Sequence, residues 1–300
     1  MKCLIINNPV SGHSKTEEQI AEIVEALKTK YETVDIVSTT ETITATNIST
    51  ENLGKYEVYV VLGGDGTFNE MLRGIAGKEN RPLVGYIPSG TVNDFALCNK
   101  IPFNYKKAVD VILNGRIVPK SCMFINGIPA DYVICAGMFS CSSYVADNSF
   151  KKKIGKLAYY HAIFFKDEGR HGERVEVTLP ETGESFSALC TFIAGLNNSS
   201  IGGLRVTKQD FGNEDQFYFF MARRKKGFFP FAATLFAMLR VYIVKVDRIP
   251  RDTKHLVIRK VTKASVKTLS NTQWNVDGER GPRGDAEITY KQDQFSLFVP

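Results

Sequence analysis

A glycine-rich turn between a buried strand and a helix is the feature that most constrains this chain. The apolar run Val60–Leu62 stops at the loop Gly63–Thr67, and a helical pattern follows. Glycines lack a Cβ atom, so their backbone N–H groups can approach an anion closely. The following helix directs the partial positive charge of its N-terminus to the same place. The stretch therefore predicts a loop that binds a polyphosphate.

Two acids and a hydroxyl distinguish this loop from a turn whose glycines only satisfy backbone geometry. Asp65 stands between two glycines, where an acid is costly unless it meets a cation or a hydroxyl. Thr67 and Glu70 place a hydroxyl and a second carboxylate in the first turn of the helix. These positions favour nucleotide chemistry over a purely structural turn.

Two further motifs carry acids. The segment Pro88–Phe95 forms a turn in which Thr91 or Asn93 can cap the next helix, and its Asp94 adds a carboxylate. The segment Trp274–Glu279 places a glycine between two acids, which by itself is common in surface turns. Together, the three motifs supply the acids that phosphoryl transfer needs to accept a proton and to hold Mg²⁺ against the phosphates.

The order of apolar segments predicts the fold class. In the first third, short apolar strands alternate with helices, which indicates an α/β domain with a doubly wound parallel sheet. Both glycine-bearing loops then lie at the carboxyl ends of strands, where open α/β sheets bind ligands. From about Val118, strands joined by turns indicate a β-rich antiparallel domain. We expect a nucleotide-binding domain over residues 1–118 and a second domain over 119–300, with the last strand, 290–300, compatible with either.

Composition narrows the function classes. The 300 residues carry 38 Lys and Arg against 32 Asp and Glu, a net charge of +6. This excess fits an anionic ligand or membrane surface but is too diffuse to indicate nucleic acid, so we expect no nucleic-acid partner. The six cysteines lack CxxC spacing, which indicates reduced thiols rather than a zinc site or disulfides. With neither a signal peptide nor a spanning segment in the pattern, we expect a soluble, cytoplasmic protein.

In their order, these motifs resemble the diacylglycerol kinase catalytic family, bacterial lipid kinases related to sphingosine kinases within the NAD kinase-like superfamily. The resemblance runs over nearly the whole chain. It implies an ATP- and Mg²⁺-dependent lipid kinase in which an α/β domain and a β-rich, lipid-substrate domain close a cleft. The motifs that carry it are Asn7–Gly12, Gly63–Thr67 with the following Asn69 and Glu70, Gly90–Ala96, Lys152–Tyr159 and Asp277–Glu279.

The resemblance implies a role for each matching residue. Glu279 would accept the proton of the lipid hydroxyl. An acidic and metal-holding network around the transferred phosphate would comprise Asp277, Asp65 and Asp94. The residues expected to contact ATP are Asn8, Thr39, Gly64, Asp65, Gly66, Thr67, Phe68, Asn69, Glu70 and Thr91.

The family also holds a structural Mg²⁺ in a loop of the second domain. In this chain the matching loop is Gly212–Phe217, with Asp215 as the side-chain ligand and backbone carbonyls from Gly212 and Phe217. Gln216 stands where the family has a glycine. This departure leaves two outcomes open, a loss of metal affinity or a different ion.

A basic and aromatic segment, Arg223–Phe231, suits an anionic bilayer surface, where charge attracts and aromatic rings insert. A solvated loop that leads into a core helix is the alternative, and we favour it because only one short run carries the signal. We expect a lipid substrate at the membrane surface and peripheral association at the inner membrane face. The oligomeric state stays open, because exposed strand edges could pair into a homodimer.

The expected reaction transfers the γ-phosphate of ATP to a lipid hydroxyl, with diacylglycerol as the first choice of acceptor and phosphatidic acid as the product. Other glycerolipids, sphingoid bases and undecaprenol-type alcohols are also compatible with an apolar pocket. An NAD kinase-type enzyme is the enzymatic alternative, since it shares the GGDGT loop. A lipid- or nucleotide-binding module without turnover is the other, and the retained acids argue against it.

Overall fold

The computed structural model describes residues 1–137, 172–197, 200–201, 204–205, 207, 215–224, 239–241, 243–249 and 256–300. The chain divides into two compact units. The first unit comprises Met1–Cys122 together with Gln292–Pro300, and the second comprises Met123–Lys291. The expected boundary at residue 118 lies four residues before the division at Cys122, and the last nine residues lie in the first unit.

The helices and strands are numbered in chain order. In the first part of the chain they are β1 (Lys2–Asn7), α1 (Glu17–Lys28), β2 (Thr33–Ser38), α2 (Ala45–Glu51), β3 (Val58–Gly63), α3 (Asp65–Ile75), β4 (Leu83–Pro88), α4 (Asp94–Cys98) and α5 (Tyr105–Asn114). The following strands are β5 (Arg116–Ile125), β6 (Ile128–Ala130), β7 (Val133–Gly137), β8 (Glu173–Leu179), β9 (Glu184–Leu196), β10 (Ser200–Ile201), β11 (Leu204–Arg205), β12 (Phe217–Arg223), β13 (Leu256–Val261), β14 (Lys263–Thr268), β15 (Gln273–Val276), β16 (Glu279–Arg283) and β17 (Ala286–Val299).

The first unit is built on a parallel sheet with the strand order β2, β1, β3, β4 and the end of β17. All six residues of β3 are buried, as expected for a central strand whose two faces are both covered. The helices start at polar caps. Thr16 forms a capping box with Gln19 at the start of α1, and Thr44 forms one with Asn47 at the start of α2. This architecture confirms the predicted parallel α/β fold of the N-terminal region.

The second unit is antiparallel. Its strands run in the order β16, β15, β7, β9, β8, β14 and the first part of β17, and β12 pairs with both β9 and β13. Its core contains the fully buried aromatic side chains of Trp274, Phe217 and Phe219. The strand-rich C-terminal region was also predicted, so the fold class is confirmed for both parts of the chain.

The described residues bear on the expectations about cysteines, membrane-spanning helices and the basic segments. None of the five cysteines in the described part of the chain forms a disulfide. Within the same residues, no helix is long and apolar enough to cross a bilayer. The segment Lys152–Tyr159 and most of the basic segment, from residue 225 to 231, lie outside the described residues.

An ion pair on the second unit makes its stability depend on pH. The guanidinium of Arg259 donates from Nε to Oε2 of Glu184 over 2.7 Å and from Nη2 to Oε1 over 2.8 Å. This bidentate bond is the largest cause that holds the pKa of Glu184 below its ordinary value of 4.5, against a smaller desolvation effect. A carboxyl group with a lowered pKa stabilises the fold above its unfolded-state pKa, and that stabilisation is lost as the pH falls through the folded-state value.

We therefore expect Glu184→Gln to lower the urea midpoint of the second unit at pH 6 to 7. The difference from wild type should shrink as the pH falls from about 4.5 through the lower folded-state pKa, below which the carboxyl group is protonated in both states. Urea denaturation at a series of pH values measures this. Glu176→Gln, which changes an exposed glutamate on β8, is the control. A Glu184→Gln difference that stays constant down to pH 3 would contradict the assignment.

Candidate active site

Three loops of the first unit meet at one edge of its sheet. Each follows the carboxyl end of a neighbouring parallel strand, β1, β3 or β4. Two backbone hydrogen bonds extend the ladder beyond the strands, from Asn8 N to Leu62 O (2.9 Å) and from Ser89 N to Gly63 O (2.8 Å). The motifs that begin at Asn8, Gly63 and Ser89 therefore lie side by side, at the edge where the sequence placed them.

The two glycine loops are in close backbone contact. A Cβ atom added at Gly90 would lie 2.7 Å from the Cα atom of Gly64, and one added at Gly64 would lie 3.1 Å from the Cα atom of Gly90. Backbone atoms cannot move aside as the end of a flexible side chain can. A side chain at Gly90 would therefore force the loops apart, and one at Gly64 would displace them by a few tenths of an ångström. The two loops approach this closely because both positions are glycine.

A methyl group at this contact should weaken nucleotide binding. We expect Gly90→Ala to raise the Kd for ATP about tenfold, or ~1.4 kcal/mol, because the loops must separate. Isothermal titration calorimetry measures the effect. Gly183→Ala is the matched control, since Gly183 has a φ of +67° in open space in the second unit. It should lose about 1 kcal/mol of stability without losing ATP affinity. Unchanged ATP affinity in Gly90→Ala would show that this contact does not shape the nucleotide site.

Asn8 ties the first loop to helix α3. Its side-chain amide donates from Nδ2 to the hydroxyl of Thr67 over 2.8 Å, and its Oδ1 accepts from Val10 N over 3.1 Å. The hydroxyl groups of Ser11 and Ser89 lie 2.7 Å apart, which ties the same loop to the one after β4. The predicted ligand positions Asn8 and Thr67 are therefore in direct contact.

Asp65 connects the starts of two helices. It is the first residue of α3, and its carboxylate accepts hydrogen bonds from Asp94 N (2.9 Å) and Phe95 N (3.2 Å) at the start of α4. Asn93 precedes them with a left-handed φ of 54°, and its amide exchanges two hydrogen bonds with Gly90. The predicted acids Asp65 and Asp94 thus lie next to each other on the loop edge, with Asp94 buried.

The remaining predicted ATP contacts occupy different environments. Glu70 accepts from Ala45 N over 2.9 Å and so caps the start of α2. Phe68 is fully buried, and its ring stacks on that of Phe95 at a centroid distance of 3.9 Å. The other positions are buried Asn69, half-buried Gly64 and Thr39, and exposed Gly66 and Thr91. The side chains of Phe68 and Glu70 therefore contact other parts of the first unit and hold the start of α3 in place.

The hydroxyl groups of Ser11 and Ser89 join two of the loops, a contact that was not predicted from the sequence. Asn93 was predicted only as a helix cap, whereas its side chain shapes the turn at Gly90. Ser11 precedes Gly12 and Ser89 precedes Gly90 within the motif segments, and this position next to a glycine was the sequence feature that could have indicated their role.

The acid–glycine–acid motif forms a tight hairpin in the second unit. Asp277 and Gly278 join β15 to β16 with φ values of 52° and 90°, and Val276 pairs with Glu279 across the turn. Two positive φ angles characterise the type I′ turn, which suits the twist of antiparallel strands. Glu279 is half-buried at the first position of β16, whereas the side chain of Asp277 is turned inward.

Three backbone N–H groups surround the carboxylate of Asp277. Asp131 N donates to Oδ2 over 2.7 Å, while Tyr132 N and Val133 N donate to Oδ1 over 3.0 and 2.8 Å. The hydroxyl of Tyr132 donates to the carbonyl oxygen of Asp277 over 2.8 Å. Asp277 is only 4% exposed. We call this arrangement of Asp131, Tyr132, Val133 and Asp277 the Asp277 clamp. Of these four residues, only Asp277 was predicted from the sequence.

The loop with the expected structural metal is described only at its end. Gly212 lies outside the described residues, Asp215 is exposed, and Phe217 is the buried first residue of β12. Gln216, the departure from the family pattern, donates from Nε2 to Glu181 Oε2 over 3.4 Å. The described residues contain no group of three or more His, Cys, Asp or Glu side chains that could hold a metal ion.

Comparison with known proteins identifies the relatives of this chain. Residues 2–125 match the family described as "Diacylglycerol kinase catalytic domain". Over these residues the chain is similar to that family. The diacylglycerol kinase of Staphylococcus aureus (strain bovine RF122 / ET3-1) is 28% identical, over 99% of this chain and 91% of the relative. The diacylglycerol kinase of Bacillus subtilis (strain 168) is also 28% identical, over 99% of this chain and 95% of the relative.

Solved structures share the fold. Two crystal structures from Bacillus anthracis str. Sterne match this chain, and each match covers 100% of this chain and 97% of the solved chain. Their TM-scores are 0.81 at 24% identity and 0.76 at 20% identity, and the second is named a diacylglycerol kinase. The family match and the named relatives confirm the resemblance predicted from the ordered motifs, and the relatives extend it over nearly the whole chain. The solved structures confirm the fold.

Proposed function

We propose that this protein is an ATP- and Mg²⁺-dependent lipid kinase that transfers the γ-phosphate of ATP to the hydroxyl group of diacylglycerol and forms phosphatidic acid. The observation that carries the proposal is the set of three loops at the carboxyl edge of the parallel sheet. The names of the 28% identical relatives support the choice of acceptor.

The loop edge of the first unit has the properties of a nucleotide site. The contact between Gly64 and Gly90 brings two backbone loops together without side chains between them. Helix α3 begins at this point and adds the partial positive charge of its N-terminus. The β- and γ-phosphates of ATP would lie on Gly64–Thr67, with Asn8, Thr39 and Thr91 contributing from the neighbouring loops.

The acids on this edge suit Mg²⁺, which prefers oxygen ligands and is commonly held by one or two carboxylates together with substrate phosphates. Asp65 and Asp94 are adjacent on the edge, joined by the hydrogen bond from Asp94 N to Asp65 Oδ2. Asp65 accepts two backbone hydrogen bonds, but it is half-buried at the loop edge, whereas Asp277 is buried among three backbone donors. Asp65 and Asp94 would hold the metal. When bound, the ion supplies positive charge that stabilises the charge developing on the transferred phosphoryl group.

Glu279 would accept the proton of the attacking lipid hydroxyl. It stands at the first position of β16, on regular backbone next to a tight turn, and is half-buried. A general base must lie within hydrogen-bond reach of the proton that it takes, and a strand position fixes it better than a mobile loop. Positioning and electrostatic stabilisation supply most of the rate in phosphoryl transfer.

The partners and location follow from the substrate. Diacylglycerol resides in membranes, so we propose that the protein works in the cytoplasm and associates peripherally with the inner membrane face. The basic excess of the chain, 38 Lys and Arg against 32 Asp and Glu, supports attraction to an anionic surface. A homodimer would be compatible with this arrangement.

A radiolabel transfer assay tests the proposal. Purified protein is given labelled ATP and Mg²⁺ with diacylglycerol, with sphingosine or with NAD in separate reactions. Labelled phosphatidic acid is the expected product, and its formation should stop when EDTA removes Mg²⁺. Label in phosphorylated sphingosine would retain the assignment as a lipid kinase but change the proposed acceptor from diacylglycerol to a sphingoid base. Label only in NADP would replace the proposal by an NAD kinase, and no transfer to any acceptor would favour a binding module.

A further inference from the structure

We propose that Asp277 is a positioning residue for Glu279 rather than a ligand of the metal or the phosphate. This inference rests on the proposed kinase function and revises the role that the resemblance implied for Asp277. It is carried by the Asp277 clamp, in which one buried carboxylate fixes the backbone of the turn that precedes the predicted base.

The clamp commits both carboxylate oxygens to backbone donors. Oδ2 accepts from Asp131 N, and Oδ1 accepts from Tyr132 N and Val133 N, over distances of 2.7 to 3.0 Å. Hydrogen bonds to an ionised acceptor are roughly twice as strong as neutral ones. A buried carboxylate needs such donors because burial without them is costly. Asp277 is therefore held by its own unit.

The clamp also holds the main chain of Asp277 from both sides. Asp277 N donates to Val133 O over 2.9 Å, and the hydroxyl of Tyr132 donates to Asp277 O over 2.8 Å. The residue adopts a left-handed φ of 52°, a conformation in which aspartate is better tolerated than most residues. Backbone and side-chain bonds together thus determine the conformation of the turn, and the turn determines where β16 begins.

The other side of the clamp is fixed as well. Asn197, at the end of β9, donates from Nδ2 to Asp131 O over 2.9 Å and from its backbone N to Tyr132 O over 3.0 Å. Within the hairpin, Gly278 N donates to Asn275 Oδ1 over 2.9 Å. A turn supported in this way gives Glu279, two residues after Asp277, a fixed place at the start of its strand.

Catalysis is sensitive to such support, because a displacement of about 1 Å can lower a rate about 100-fold. A metal ligand and a positioning residue differ in what their loss changes. Removing a ligand raises the Mg²⁺ concentration needed for half-maximal activity. Removing the clamp lowers kcat at saturating Mg²⁺ and frees the backbone amides of Asp131–Val133, even without nucleotide.

The experiment uses the full chain and three variants. Asp277→Asn should lower kcat about 100-fold, with the KM for ATP and the half-saturating Mg²⁺ concentration unchanged. Its 131–133 segment should exchange amide hydrogens faster in nucleotide-free protein, as measured by mass spectrometry. Tyr132→Phe keeps the carboxylate contacts and removes only the hydrogen bond from the Tyr132 hydroxyl to Asp277 O, so it should lower kcat several-fold. Because it is the milder change, it provides a folded variant for the test if Asp277→Asn does not fold. Asp293→Asn is the control, since Asp293 has the same left-handed φ, 51°, but is exposed on β17.

Two results would overturn the inference. One is an unchanged exchange rate of the 131–133 segment in Asp277→Asn. The other is a raised half-saturating Mg²⁺ concentration with full kcat restored at excess Mg²⁺, which would make Asp277 a ligand. Failure of the proposed function has a different signature, namely wild-type protein that transfers phosphate to no lipid. In that case the exchange measurement still decides whether the clamp holds the turn.

Discussion

Replacing Glu279 by glutamine is expected to lower kcat for lipid phosphorylation by about 10²- to 10⁴-fold, the range contributed by a positioned general base. Glutamine keeps the size of the side chain and its place at the start of β16 but cannot accept the hydroxyl proton. The KM for ATP should change little, because the loops that we propose bind ATP belong to the first unit. Initial rates with saturating ATP and dispersed diacylglycerol measure the effect.

The matched control for this variant is Glu287→Gln. Glu287 lies on β17 of the same unit, is exposed and forms a surface ion pair with Lys263 at 3.0 Å. Such pairs contribute between about 0 and 1 kcal/mol to stability, so this variant should fold and react like wild type. If Glu279→Gln retained the wild-type rate, the proton would have to go elsewhere, and the assigned role of Glu279 would be abandoned.

Replacing Trp274 by alanine should have the largest effect on stability. Trp274 is fully buried in the core of the second unit, and its indole N–H donates to Gly284 O over 2.8 Å. Truncation of a buried tryptophan costs about 3–5 kcal/mol through lost contacts and the cavity that remains. Urea denaturation followed by far-UV circular dichroism measures this. The variant has no tryptophan fluorescence, because the chain contains only one tryptophan.

Two further variants separate packing from hydrogen bonding. Trp274→Phe keeps much of the buried ring but leaves the carbonyl of Gly284 without its donor, which should cost about 1–3 kcal/mol. Leu269→Ala removes an exposed apolar side chain of the same unit and should stay within about 0.5 kcal/mol of wild type. A loss below 1 kcal/mol in Trp274→Ala would show that this core tolerates the cavity by collapsing.

The first unit was predictable from local signals. Apolar runs of strand length alternate with capped helices, and glycines mark the turns between them. Since the carboxyl ends of parallel strands lie at one edge, the motifs at Asn8, Gly63 and Gly90 had to come together there. The sequence also predicted the change to antiparallel strands after about residue 118.

The partners of individual acids were not predictable, because they lie far away along the chain. Glu70 follows the glycine loop, yet its carboxylate caps helix α2 at Ala45. The Asp–Gly–Glu turn reads like a surface hairpin, and only the strand pairing of β15 with β7 brings the backbone N–H groups of Asp131–Val133 to Asp277. A sequence pattern records which acids are present, whereas the tertiary fold decides which of them bind the protein's own backbone.

The return of the last nine residues to the first unit affects the order in which the chain can fold. Ser296 and Leu297 pair with Leu83 and Val84, so this contact joins positions roughly 200 residues apart and carries a large loop-closure entropy. The ring of Phe295 lies 5.9 Å from that of Phe68, which follows the loop Gly63–Thr67. During synthesis, the edge of β4 that pairs with β17 therefore stays unpaired until Ser296 and Leu297 have been made. The loop Gly63–Thr67, which we propose binds ATP, gains this support only after that pairing has formed.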